Sequence, residues 1–178
     1  MIKIVKNPTK KEVSIFEKFA HNNWGEHSTD GDQALDFFDT HRIIYENYQE
    51  NKLVSGLVVF FKTLVFSDRI YNIAGIGGVV THKDFRNKGY AQATLKFVLQ
   101  NLKTMKLDAV LLCTEIDKLG VFYNKVGFAP LNKPYYFIDK LGNKKSEKGG
   151  MIADLGNKSA YNFILTTKEE LFVGLSNF

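Results

Sequence analysis

Among 178 residues there is one cysteine, Cys113. That excludes an internal disulfide framework and any cysteine-based zinc site. Set in the apolar run "DAVLLCT", the thiol reads as a buried structural group, and a reducing, cytoplasmic setting is expected. Long apolar runs are missing too. Nothing approaches the ~18 apolar residues of a membrane span, and the opening "MIKIVKNPTKKEV" has no apolar stretch of signal-peptide length, so no membrane partner is expected. Positive charge exceeds negative, with 24 Lys+Arg against 19 Asp+Glu, but it is scattered. With no arginine-rich arm, zinc-finger spacing or dense basic helix, nucleic acid is not an expected partner either. No repeat, low-complexity tract or Pro/Gly/Ser linker divides the chain, and a single domain spanning 1–178 is expected.

Several chemistries lack their residues. The run "GIGGVV" has no last glycine for a dinucleotide fingerprint, and no glycine-lysine-serine/threonine unit forms a Walker loop. There is no HExxH metal motif and no GxSxG nucleophile elbow, so neither a bound metal nor a serine nucleophile is expected.

What is present is a regular alternation. "IKIV" reads as a short strand, and Val13, Phe16, Phe19 and Ala20 recur at helical spacing behind Thr9, a suitable N-cap. A shorter helix is expected across "DQALDFFDTHR", then two strands within "IIYENYQENKLVSGLVVFFKTLVF" joined near Asn51 and Lys52. "RIYNIAGIGGVVTH" is a further strand whose Gly75, Gly77 and Gly78 call for a bulge, a close approach or tight packing. Ala91, Leu95, Val98, Leu102 and Met105 form an apolar stripe that predicts a helix over 90–105. A strand "DAVLLCT", a short helix around "KLGVFYNKV", a strand near "FAPLNKPYYFID" and another near "GMIADL" follow. Strands that alternate with helices after an antiparallel meander indicate an α/β domain with a mixed sheet.

Between the glycine-bearing strand and the long helix lies the turn "HKDFRNKGYA". A strand exit, a glycine loop and an immediate helix start present free backbone N–H groups at a positive helix end, which suits phosphate. Gly89 allows backbone approach, and Arg86 and Lys88 add charge at the rim. An ordinary strand-to-helix turn with solvated charges reads the same way.

Two stretches carry a resemblance to a known family. "RNKGYA", Arg86 to Ala91, resembles the R/Q-x-x-G-x-G/A pyrophosphate loop of the GCN5-related N-acetyltransferases (GNAT), with alanine in the last place. Downstream, "FYNKVGF", Phe122 to Phe128, is similar to that family's Y-x-x-x-G-F signature. The two occur in order, separated by a helix and a strand, and the likeness covers roughly residues 70–130. It implies the GNAT fold, a central, mostly antiparallel, mixed sheet that splays open and is flanked by helices.

Site roles follow from the resemblance. Backbone groups of Arg86, Asn87, Lys88, Gly89, Tyr90 and Ala91 would hold the pyrophosphate of acetyl-CoA as co-substrate. Val79, Val80 and Thr81 would pair edgewise with the pantetheine amides, with the Val79 N–H polarising the thioester carbonyl. Tyr123 would protonate the departing thiolate, a role that suits a phenol with an ordinary pKa of ~10. Some relatives place a carboxylate on the strand before the loop; "YNIAGIGGVV" has none, which leaves Glu115, Asp117, His82 or water as the base. "TEIDKLGV" also lacks the asparagine common in the family.

The acceptor reading rests on charge. From His21 to His41 there are five acids (Glu26, Asp30, Asp32, Asp36, Asp39) and no Lys or Arg. With Trp24, the residues Glu26, Asp30 and Asp32 are candidates to attract a cationic small-molecule amine of polyamine or aminoglycoside type. A solvated surface segment is the plain alternative. Residues 139–178 read as a C-terminal extension packed on the domain, with a strand, a polar basic turn and another strand in "PYYFIDKLGNKKSEKGGMIADL", then a peripheral helix. It would close the acceptor side or form a homodimer contact. Two other functions fit the same motifs: a non-catalytic acyl-CoA-binding module, and a protein or peptide N-acetyltransferase.

Overall fold

The structure is a computed structural model and describes residues 1–24, 41–66, 69–139, 141–175 and 177. They gather into two compact units, Met1–Phe60 with Ile76–Val98, and Phe61–Gly75 with Leu99–Phe178.

The first unit opens with strand β1 (Ile2–Lys6) and helix α1 (Lys10–Trp24), followed by β2 (Arg42–Gln49). To these it adds the first part of β3 (Lys52–Phe66) and the last part of β4 (Arg69–Thr81), in the order β1-β2-β3-β4. A 3-10 turn (Lys83–Phe85) and helix α2 (Tyr90–Lys103) follow. The N-terminus of α1 is a capping box: Glu12 N–H donates to Thr9 Oγ1 at 3.3 Å, and Glu12 Oε2 accepts from Thr9 N–H at 2.8 Å, which satisfies two otherwise orphaned donors. Val13, Phe16 and Ala20 point inward at one-turn spacing and pack with Val5, Ile44, Val58, Phe60 and Val80. Burial of each large side chain contributes about 2 kcal/mol. The seat for Phe16 depends on Gly56, where a Cβ would lie 2.5 Å from the Phe16 ring and 2.8 Å from the Tyr45 carbonyl.

In the second unit lie the remaining parts of β3 and β4, then β5 (Ala109–Cys113), α3 (Ile116–Asn124), β6 (Phe128–Pro130) and β7 (Tyr135–Ile138). The chain continues through β8 (Lys144–Glu147), β9 (Gly150–Asp154), α4 (Lys158–Thr166) and β10 (Leu171–Leu175). Here the order is β3-β4-β5-β9-β6, and β10-β7-β8 form a separate small sheet. Its core joins Leu64, Tyr71, Leu111, Tyr135, Ile152 and Ile164. Gly149 and Gly150 let β9 lie close, because a Cβ at Gly149 would meet the Thr114 carbonyl at 2.1 Å. β1 with β2, β2 with β3, β5 with β9, β6 with β9 and β7 with β8 pair antiparallel, and β10 pairs with β7 in parallel. This is the mixed, mostly antiparallel α/β architecture expected.

Some expectations need correction. The helix expected across "DQALDFFDTHR" falls mostly outside the described residues, and its last residue, Arg42, instead starts β2. The β2–β3 hairpin turns at Glu50 and Asn51, both with positive φ, one residue before the expected join. Helix α2 stops at Lys103: Thr104 and Met105 donate i→i−3 bonds, and Lys106 at φ 54° cannot continue it. The single strand expected near "FAPLNKPYYFID" divides into β6 and β7, which belong to different sheets. The "polar basic turn" after it contains β8, which pairs with β7, while β9 joins β5 and β6. Period-two patterning was too faint in "KKSE" to mark a strand.

Candidate active site

Strand β4 carries the first part of the candidate site. Gly78 has φ 62°, a bulge conformation available to glycine inside a strand. Beyond it the strand alternates cleanly. The Val80 carbonyl accepts from Ser55 Oγ at 2.9 Å, and His82 N–H donates to the Val54 carbonyl at 2.8 Å, both toward β3. Backbone groups of successive residues point to opposite edges, so those of Val79 and Thr81 face away from β3. On that edge the indole N–H of Trp24 donates to the Val79 carbonyl at 3.1 Å.

The turn that follows is fixed by local bonds. His82 Nδ1 accepts from Asp84 N–H at 3.3 Å, and its ring contacts those of Phe19 and Phe85. Lys88 Nζ donates to the Asp84 carbonyl at 3.0 Å and lies 5.1 Å from the centre of the Phe85 ring. Asn87 and Gly89 have φ 61° and 80°. A Cβ at Gly89 would meet nothing within 4 Å, so open space adjoins the backbone there. Helix α2 starts at the next residue with no acid in its first turn. Ala93 N–H donates to the Gly89 carbonyl at 2.9 Å; the amides before it are the orphan donors of a helix N-terminus. Gly89 offers no side chain to cap them. Partial positive charge and outward N–H groups together suit a phosphate.

Arg86 is oriented otherwise than a rim cation would be: its guanidinium donates to the Asn23 carbonyl. The Asn23 side chain accepts from Lys83 N–H at 3.0 Å and donates to the Phe19 carbonyl at 2.8 Å. Asn23 is thus a buried bracket between the end of α1 and the loop. Further along, buried Asn47 donates to Thr94 Oγ1 at 3.1 Å, and Thr94 Oγ1 donates to the Tyr90 carbonyl at 2.9 Å, which ties the first turns of α2 to β2. Asn23, Asn47 and Thr94 were missed in the sequence. Thr94 gave a signal, since it is a polar residue beside the apolar stripe of Ala91, Leu95 and Val98.

The second unit holds Tyr123, on α3, only 6% exposed. Burial pushes its phenol up to about 12; a hydrogen bond with the Thr114 side chain pulls the other way, and the nearby Cys113 sulfur adds to the rise. Cys113 is half-buried rather than buried as expected; its thiol is itself raised, first by desolvation, and hydrogen-bonds Tyr135 and Asn177. Tyr135 donates to Asn177 Oδ1, and Lys62 Nζ donates to the carbonyls of Leu175 at 2.8 Å and Asn177 at 3.4 Å. Burial lowers Lys62 to about 8. Glu115 precedes α3 and pairs with Lys118, and Asp117 lies in the first turn of α3.

Val79, Val80, Thr81, Arg86, Asn87, Lys88, Gly89, Tyr90 and Ala91 therefore lie together in the first unit, with Trp24 beside them. Tyr123 lies in the second. Glu26, Asp30 and Asp32 lie outside the described residues. Among the described residues no helix is long and apolar enough to cross a membrane, and no group of three or more His, Cys, Asp or Glu is placed to hold a metal ion.

Comparison with known proteins identifies the class. The family model described as an acetyltransferase (GNAT) domain matches residues 5–131, more than half of the chain. The chain belongs to the GNAT family of acyl-CoA N-acyltransferases. Solved structures agree on the fold. The Escherichia coli GNAT family N-acetyltransferase YhbS, crystallised in complex with CoA, is 12% identical with a TM-score of 0.59, over 98% of this chain and 88% of that one. ElaA from Escherichia coli is 14% identical with a TM-score of 0.60, over 86% and 99%. GCN5 from Tetrahymena is 10% identical with a TM-score of 0.57, over 88% and 97%. The chain spans about a third of the length of two larger relatives, a probable N-acyltransferase from Enterococcus faecalis (33%) and a GCN5-related N-acetyltransferase from Anabaena variabilis (34%). No curated protein sequence matches it significantly.

Proposed function

We propose that the whole chain is one acetyltransferase domain, with residues 139–178 as its extension, and that it moves the acetyl group of acetyl-CoA to a primary amine by direct transfer in a ternary complex. The observation that carries this reading is the loop 86–91. It has the family's pyrophosphate-loop sequence and turns into α2 at Gly89, at φ 80° with open space at its Cβ and no side chain to cap the helix end behind it. The amides from Arg86 to Ala91 hold the pyrophosphate. Because the Arg86 guanidinium engages Asn23, that residue contributes its backbone rather than its side-chain charge.

The pantetheine arm pairs with the edge of β4 at Val79 and Thr81, and the Val79 N–H receives the thioester oxygen as charge develops on it. A backbone donor so placed is worth about 3 kcal/mol of barrier. The amine attacks the carbonyl carbon and the carbon–sulfur bond breaks; the family motif gives Tyr123 the part of meeting the leaving sulfur. A phenol held at about 12 stays protonated throughout the working range. Handing its proton fully to a thiolate of pKa ~8.5 is uphill by roughly 5 kcal/mol. Tyr123 therefore acts first as a hydrogen-bond donor to the leaving sulfur, and as its proton passes to the sulfur the proton shed by the attacking amine, carried through water, restores the phenol.

The acceptor is a cationic small molecule, drawn by the acids between His21 and His41. Calorimetric titration with acetyl-CoA, using dephospho-CoA and ATP as controls, tests the coenzyme site. Saturable binding of the acetyl-CoA, absent with ATP, is the expected result. A screen of polyamines and aminoglycosides for thiol release then tests the acceptor, and release with acetylated peptides as the only products would replace the small molecule by a protein.

A further inference from the structure

The β4 edge assigned to the coenzyme is already engaged. The Val79 carbonyl, on the edge facing away from β3, accepts the Trp24 indole N–H at 3.1 Å. This is the acceptor that an edge-pairing amide takes, since a ligand strand donates to the free carbonyls of the strand it extends. The bicyclic indole at hydrogen-bond distance fills the approach to that oxygen, so an amide and the indole exclude one another sterically. Trp24 is the last residue of α1 and packs against the core of the first unit. The residue before it is pinned: Asn23 accepts from Lys83 N–H through its side chain and from Arg86 through its carbonyl. The helix end cannot swing off the loop without breaking both bonds. Motion is thereby confined to the torsions of Trp24 itself.

We propose that Trp24 is an internal competitor for the coenzyme: its indole N–H occupies the Val79 carbonyl in place of the pantetheine amide, and coenzyme binding displaces the ring while α1 stays in place. The inference rests on the coenzyme reading above and adds a residue that tunes its affinity. The displaced ring must give up one hydrogen bond and its packing, so the coenzyme binds more weakly than the same site would bind it without the indole N–H. Removing one neutral hydrogen bond of this kind corresponds to about a threefold to tenfold change in affinity.

Trp24 is the only tryptophan in the chain, so its emission reports this site alone. The expected result with the unmodified protein is a change in emission on adding CoA, saturating at the Kd found by calorimetry, with greater quenching by acrylamide at saturation because the displaced ring is more exposed. Unchanged or reduced acrylamide quenching, while calorimetry shows binding, would mean the ring stays on β4 or is covered by the coenzyme, and would overturn the proposal. Trp24→Phe keeps a ring for packing and removes the donor; it should bind CoA threefold to tenfold more tightly by calorimetry. Equal or weaker binding by this variant also overturns the competition. Absence of binding heat in both proteins would refute the coenzyme site itself, a separate outcome from loss of the competition alone.

Discussion

The loop and strand edge of the first unit and the buried cluster of the second handle polar groups in opposite ways. At Val79, Thr81 and residues 86–91 the proposed chemistry belongs to the backbone, placed by a bulge at Gly78, a left-handed Asn87 and Gly89, and the Asn23 bracket. In the second unit it belongs to side chains. Cys113, Tyr135, Asn177 and Lys62 are drawn into a bonded group, Tyr123 bonds Thr114 near the Cys113 sulfur, and burial shifts the ionisable ones toward their neutral forms. A backbone site needs few particular side chains but does need conformations that most residues resist. A side-chain site is sensitive to chemistry at single atoms. Substitutions should therefore separate binding from turnover along this line.

The largest effect should follow from Gly89→Asp. The new Cβ meets no protein atom within 4 Å, and a side chain at φ 80° costs about 1–2 kcal/mol of strain, which the fold survives, but a carboxylate about 4 Å from the pyrophosphate costs about 4 kcal/mol at an effective dielectric of ~20. Affinity for acetyl-CoA should fall on the order of 10³-fold by calorimetry, with the circular-dichroism spectrum unchanged. Retained affinity would remove the loop from the site. Tyr123→Phe should do the reverse. The coenzyme Kd stays within about twofold, while turnover drops about 10²-fold, the low end for loss of a general acid. Because the phenol sits at about 12, its ionisation should leave the rate untouched up to about pH 10. A limb of falling activity that begins near pH 8 and vanishes in Tyr123→Phe would show instead that the phenolate form governs the rate.

How much of this was legible follows the same division. The loop is contiguous, so strand, turn, Gly89 and helix could be read from one short stretch, and the capping box at Thr9 and Glu12 is equally local. The glycines of β4 signalled a bulge, a close approach or tight packing without separating them, and the positive φ at Gly78 came only with the structure. Tyr123 was visible through its motif, but its surroundings were not. Lys62, Cys113 and Tyr135 come from three separate strands and Asn177 lies beyond β10, and no spacing in the sequence links them. The same holds for Trp24, legible as an aromatic near the acids but not as a partner of Val79, 55 residues away. Strand β8 was hidden because "KKSE" pairs on the surface, where no apolar alternation is required.

Lys62 offers a pH test of the buried cluster. Its ammonium is lowered from 10.5 to about 8 by burial. Below about pH 8 it is charged in both folded and unfolded chains, and the folded state carries the whole desolvation cost. Between about 8 and 10.5 the unfolded chain binds the proton that the folded chain has released, so stability rises with pH across that window. Urea unfolding at pH 7.5, 8.5 and 9.5 should show this rise in the unmodified protein and its absence in Lys62→Met. Parallel curves for the two proteins would place the lysine in water.

The smallest expected effect concerns the other helix end of the first unit, and it bears most directly on the contrast between closed and open backbone groups. Helix α1 satisfies first-turn donors through Thr9 and Glu12, whereas α2 begins behind Gly89, which has no side chain to cap it. Thr9→Ala should lower stability by about 1 kcal/mol, measured by urea unfolding, since it removes the acceptor of Glu12 N–H. It should leave the acetyl-CoA Kd unchanged within twofold, because a self-capped end has no amides to offer a ligand. The two helix ends differ in whether a side chain or a phosphate completes them, so a loss of coenzyme affinity in Thr9→Ala comparable to its loss of stability would contradict the assignment of the anion to α2 alone.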